Sequence, residues 1–417
     1  MDLIDVWGKV ALQGKVKIQG SKNAALPILA ATLLAEDISV IRNCPRITDV
    51  YAMLSLLDNL GCIVSRQGDG VVVDASKVRR DSMSPEAVRG MRSSLCLLGA
   101  LLGRCGEVVM EHPGGCVIGE RPIDMHISAL EQMGATFTMK DGKLKAVADS
   151  LHGAKIHLSK PSVGVTENVI LAAVLAEGNT ILTGAAREPE VQALCSYLQQ
   201  CGAKMEGVGT QQIEIWGGSR LSGTDYTIIP DRIVAGTYLL ACIGTGGTVL
   251  LEHAPVADMD AVLQLSKQMG GTLYTSEEGL FVQGPEQPKA VGKICTECYP
   301  GFPTDLQSVA LAVETISDGE TIIEETIFEN RFRVVEELQK MGAEIQTLDQ
   351  RRVLVRGVQT LRGTELKARE LRGGASLVTA GLMATGKTRI SGCSYIYRGY
   401  ESICRDYKEL GARIISV

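Results

Sequence analysis

A thiol rarely sits among glycines. In "PGGCVIGERPID", residues 113–124, Cys116 follows Gly114 and Gly115, with Gly119 and then Arg121 after it. Cysteine more often fills apolar interiors. The chain's other eleven of twelve cysteines lie mostly in apolar runs and read as packing residues. A nearby cation and a helix start favour thiolate. Cys116 therefore reads as a reactive or proton-transferring thiol carried on a lid.

The remaining chemistry is polar and scattered: Lys22 and Asn23, Arg92, the run Ser162 to Thr166, Asp231 and Arg232, Asp305, and Arg372. A second set comprises Arg121 and Asp124, Arg187 and Glu188, Arg331 and Arg333, and Arg398. Taken one at a time these are ordinary helix caps and solvated surface charges. Two other motifs lead nowhere. "CTEC", with Cys295 and Cys298, has no second pair at zinc-site spacing. "GLMATGKT", residues 381–388, spells a P-loop but follows an apolar helix and leads into a strand, so phosphates would meet no helix start. Gly386 reads instead as a helix stop and Lys387 as a turn residue.

What places the cations is a repeat. Amphipathic helices end in "LGC", "MGA", "CGA", "MGG", "MGA" and "LGA", with glycines at 61, 134, 202, 270, 342 and 411, spaced 73, 68, 68, 72 and 69 residues apart. Six units of one kind follow. Each opens with a helix apolar nearly all round, such as "AALPILAATLLA" (24–35) or "SLVTAGLMA". A helix with no polar face is buried on every side. The expected fold class is α/β: a two-domain, inside-out α/β barrel, three repeats per domain, with buried helices inside, sheets outside, and the site in the cleft between domains. In register, the first set of charges falls at the starts of the buried helices and the second at the starts of the amphipathic ones. Pseudo-symmetry would gather these ends on one face of each domain. Helix N-termini with Lys and Arg make a selective site for phosphate or carboxylate.

The bulk numbers agree. The 417 residues exceed one core, and 45% are apolar. Aromatics are 4% and the net charge is −6, which disfavours a nucleic-acid surface. No apolar run reaches the roughly 20 residues of a membrane span. "MDLIDVWGKV" reads as no signal peptide, and the thiols as reduced, so a cytoplasmic location is expected.

Over its whole length the chain resembles the enolpyruvyl transferases. The stretches that carry the likeness are "GSKNAALPILAATLLA", "PGGCVIGERPIDMHISALEQMGA", "AAREPEV", "PDRI", "FPTDLQ", "FENRF", "LRGGASLV" and "RGYE". The resemblance implies transfer of the enolpyruvyl group of phosphoenolpyruvate to the 3-hydroxyl of UDP-N-acetylglucosamine, with release of phosphate and no metal or organic cofactor. It implies that Cys116 protonates C3, can add to phosphoenolpyruvate, and is the thiol that fosfomycin alkylates. Asp305 would be the base facing the hydroxyl. Lys22, which also aids closure, Arg121 and Arg398 would hold phosphate; Arg331 and Arg372 would hold carboxylate, with Asn23 beside them. The nucleotide sugar would meet Asn23, Arg92, Arg121, Pro122, Ile123, Asp124, Met125, Ser162, Val163, Gly164, Asp305 and Ile327. Lys22 and Arg398 count also as catalytic. The implied domains are 22–229, and 1–21 with 230–417. Glu370 stands where Asp is expected, and its longer side chain would shift Arg372. A shikimate-3-phosphate enzyme of the same fold is disfavoured by "SKNAALP" and "GGCVIG". An idle paralogue that binds nucleotide sugar is disfavoured because every matched charge is present.

Overall fold

The computed structural model describes residues 2–78, 94–111 and 123–417. Arg92, Cys116, Arg121 and Pro122 lie outside the described residues. The described chain forms two compact units, one of residues 2–19 and 230–417, the other within 20–229. Each has its own apolar core.

Each core is built on the all-apolar helices. In the C-terminal unit these are Arg232–Thr245, Thr304–Glu314 and Leu371–Met383, each packed on the other two. Every residue of Leu371–Met383 is buried, as a helix without a polar face must be. In the N-terminal unit, Leu97–Cys105 packs on both Lys22–Ala31 and Val163–Ala173. Glycine permits the closest approach: a Cβ on Gly99 would stand 2.1 Å from the carbonyl oxygen of Asn168.

Sheets flank these helices, three to a unit among the described residues. Five share one plan: a parallel pair, then two antiparallel strands. Lys155–His157 runs parallel to Asn179–Thr183, which pairs antiparallel with Gln212–Trp216, and that with Lys204–Glu206. Leu182 stands opposite Ile156 and Ile213, and all three are buried. The alternation of buried and exposed residues marks sheets with one face on the core. The N-terminal strand Leu3–Trp7 joins Lys387–Ser391 and Arg413–Ser416, which ties the first residues to the C-terminal unit.

The six glycines of the repeat all have positive φ, from +81° to +108°, which a side chain would strain. The resemblance of "GLMATGKT" to a P-loop ends here: the segment closes the Leu371–Met383 helix and opens the strand Lys387–Ser391. Lys387 is therefore a strand residue, not a turn residue, and its Nζ lies 2.7 Å from Asp5. Two further expectations are corrected. Arg398 ends a short 3-10 stretch, Cys393–Arg398, well before the helix Ile403–Glu409 begins. Arg331 opens another, Arg331–Val334, ahead of Val335–Lys340. Both arginines thus sit in turns tighter than a regular α-helix.

Candidate active site

In the C-terminal unit the site grows from the start of the helix Thr304–Glu314. Asp305 lies in its first turn, where the helix dipole suits a carboxylate. Two guanidinium groups converge on it from 26 and 67 residues further along the chain. Arg331 donates from Nη2 at 2.5 Å, and Arg372 from Nη2 at 2.9 Å. Both arginine side chains are 3% exposed, against 24% for Asp305. They are not solvated surface charges.

Arg331 has three further contacts. Its Nε donates to Thr304 Oγ1 at 3.3 Å, its Nη1 lies 3.6 Å from Glu370, and its guanidinium faces the Phe328 ring at 5.3 Å. Thr304 in turn donates to the buried Glu325, whose other carboxylate oxygen accepts from the backbone nitrogens of Ile327 and Phe328. One carboxylate thus orders both the arginine and the Ile327 backbone.

Arg372 is less fully engaged. Among the described residues its buried Nε and Nη1 meet no hydrogen-bond partner of good geometry. Burial works against its charge, yet Asp305, with Tyr400 and Asp231, holds it above the ordinary arginine value. Buried donors without acceptors are costly, and an arriving anion relieves that cost. The Tyr400 ring lies 5.8 Å from the guanidinium carbon, two residues after Arg398. Glu370 caps the helix, accepting from the Arg372 backbone nitrogen at 2.7 Å and from that of Gly373. The longer side chain thereby anchors the Arg372 backbone.

The N-terminal unit carries other residues of the expected site. Lys22 opens the helix Lys22–Ala31, capped by Ser21, and its Nζ lies 2.6 Å from Asp49 at the start of Thr48–Asn59. Asn23 follows, half-buried. Buried Ile123 precedes the helix Asp124–Gln132, with Asp124 exposed and Met125 half-buried. Ser162 precedes Val163–Ala173, which Val163 and Gly164 begin.

Two residues that the sequence reading passed over join these last segments. His126 is buried, and its Nδ1 lies 3.2 Å from the amide nitrogen of Asn168. Burial pushes the imidazole down to about 4, while Asp124 pulls the other way, so at neutral pH the ring is uncharged and Nδ1 can accept. The same amide nitrogen shares its two hydrogens with the carbonyls of Leu95 and Gly164, and the Asn168 side-chain oxygen accepts from Gly99 N. This pair fastens the starts of Asp124–Gln132 and Val163–Ala173 to each other. Nothing in the sequence marks it, because an apolar-flanked histidine in an amphipathic helix looks like packing.

A family profile, EPSP synthase (3-phosphoshikimate 1-carboxyvinyltransferase), matches residues 6–406. A UDP-N-acetylglucosamine 1-carboxyvinyltransferase 2 from Caldanaerobacter subterraneus subsp. tengcongensis is 44% identical over 417 residues, covering 100% of both chains. A UDP-N-acetylglucosamine 1-carboxyvinyltransferase from Nitratidesulfovibrio vulgaris is also 44% identical, over 99% of both. Among solved structures, the enolpyruvyl transferase NikO from Streptomyces tendae shares the fold with a TM-score of 0.86 at 24% identity, covering 99% of this chain and 98% of that one. EPSP synthase from Acinetobacter baumannii does so with a TM-score of 0.76 at 19% identity, over 100% of both.

Proposed function

This chain belongs to the EPSP synthase family of enolpyruvyl transferases, and we propose that it moves the enolpyruvyl group of phosphoenolpyruvate onto the 3-hydroxyl of UDP-N-acetylglucosamine. The full-length relatives at 44% identity carry that acceptor in their names, which favours it over shikimate 3-phosphate. The observation that carries the chemistry is the carboxylate of Asp305 held between buried Arg331 and Arg372.

On this reading the two arginines turn from Asp305 to the substrate's carboxylate. The lone pairs of Asp305 are then released, and its carboxylate takes the proton of the 3-hydroxyl as the oxygen bonds to C2 of the enol. Cys116 gives a proton to C3, and a tetrahedral ketal forms. The ketal then returns a proton from C3 to the Cys116 thiolate as the C2–O bond to phosphate breaks, leaving the enolpyruvyl ether. Lys22, Arg121 and Arg398 hold the phosphate and stabilise it as it departs. Asn23, Arg92, Ile123 to Met125, Ser162 to Gly164 and Ile327 line the nucleotide-sugar subsite. The two groups of residues, one in each unit, serve one pair of substrates. The product is a peptidoglycan precursor, made in the cytoplasm.

The thiol gives the test. Cys116→Ser should abolish the covalent adduct with fosfomycin, read by intact mass. A variant still labelled stoichiometrically would remove Cys116 from the site.

A further inference from the structure

The chain passes from the C-terminal unit to the N-terminal one just after Gln19. This half-buried side chain makes two hydrogen bonds to backbone some 380 residues away. Its Nε2 donates to the Gly399 carbonyl at 3.1 Å, and its Oε1 accepts from Glu401 N at 2.9 Å. The primary amide thereby brackets Tyr400, one donor and one acceptor on either side of it. Its own carbonyl accepts from Asp231 N at 2.9 Å, so the bracket is itself pinned to the start of the Arg232–Thr245 helix.

The bracketed loop carries more than itself. Arg398 precedes Gly399 directly. Tyr400 is fully buried, shares a 2.8 Å hydrogen bond with Thr237, and faces Arg372 with its ring. Gly399 and Ile396 lie against the first turn of the Arg372 helix: a Cβ on Gly399 would come within 2.9 Å of Leu371, and one on Gly374 within 2.7 Å of Ile396. The loop has no room to shift without moving Arg372 or the Arg398 backbone.

We infer that Gln19 is a positioning residue for the anion-binding arginines, its amide bracketing residues 399–401 so that Arg398 and Arg372 are held in register for the small anionic substrate. The inference rests on the proposed role of these arginines toward phosphoenolpyruvate. Gln19 acts on this inference through the backbone of residues 399–401. Only a side chain with a donor and an acceptor at this length satisfies both backbone groups.

The test is steady-state kinetics of full-length Gln19→Leu and Gln19→Glu beside the wild type. Leucine removes both bonds. Glutamate keeps the acceptor for Glu401 N and loses the donor for Gly399. Gln19→Leu should raise KM for phosphoenolpyruvate on the order of tenfold, the worth of one or two hydrogen bonds. KM for UDP-N-acetylglucosamine should stay within about twofold, and Gln19→Glu should fall between. Unchanged KM for phosphoenolpyruvate in both variants overturns the inference. So does a parallel rise for both substrates, or failure of both variants to fold, since each assigns Gln19 to the scaffold alone. If the wild type releases no phosphate from phosphoenolpyruvate, the proposed function itself fails, and the inference goes with it.

Discussion

At the scale of single residues, the account turns on which charges are buried and what they hold. Asp305 is the pivot: it is the one partly exposed member of a cluster whose two arginines are almost wholly enclosed. Asp305→Asn keeps the size and one acceptor but cannot take up the hydroxyl proton. Turnover should fall by about two orders of magnitude or more, the usual worth of a general base. UDP-N-acetylglucosamine should still bind, as calorimetry would show. Turnover equal to wild type would end the role of Asp305 as base. The sequence made the arginines visible as charges at repeat positions, but not their enclosure. Burial is a property of the assembled unit, and Arg331 and Arg372 meet Asp305 only because three chain segments pack together. His126 and Asn168 were invisible for a related reason, since their value lies in whose backbone they fasten.

At the scale of the element, the helix Thr304–Glu314 holds a carboxylate at each end. Asp305 is matched by guanidinium groups. Glu314, at the last turn, is 1% exposed and accepts from Thr321 at 2.8 Å. Burial pushes its carboxyl up to about 7, with the Thr321 bond a smaller opposing effect. The unfolded group ionises near 4.5 and the folded one near 7, so stability is full below the first value and is lost as pH rises through the second. Glu314→Gln removes this loss. It should be more stable than wild type at pH 8, by on the order of 3 kcal/mol, and the gain should vanish near pH 4.5. Thermal melts at the two pH values check it, and a gain independent of pH would contradict the assignment. The helices themselves were legible in advance, because apolar residues on every face leave only a buried site and the repeat fixed where each begins. The tight stretches before Arg398 and after Asn330 were not, since 3-10 turns leave no periodic trace.

At the scale of the molecule, six similar units build two cores, and each unit contributes helix starts that bear charge. The interval of about seventy residues made that plan readable, and it did so without any single motif. If Lys22 in one unit and Asp305 in the other act on one pair of substrates, ligand should draw the units together. Small-angle scattering should show a smaller radius of gyration with UDP-N-acetylglucosamine than without, and an unchanged radius would count against a shared site. The most direct measurement is of phosphate release from phosphoenolpyruvate, with and without UDP-N-acetylglucosamine. The account predicts catalytic release only when the sugar nucleotide is present, in step with formation of its enolpyruvyl ether. Release that ignores the sugar nucleotide, or none with both substrates supplied, would contradict it.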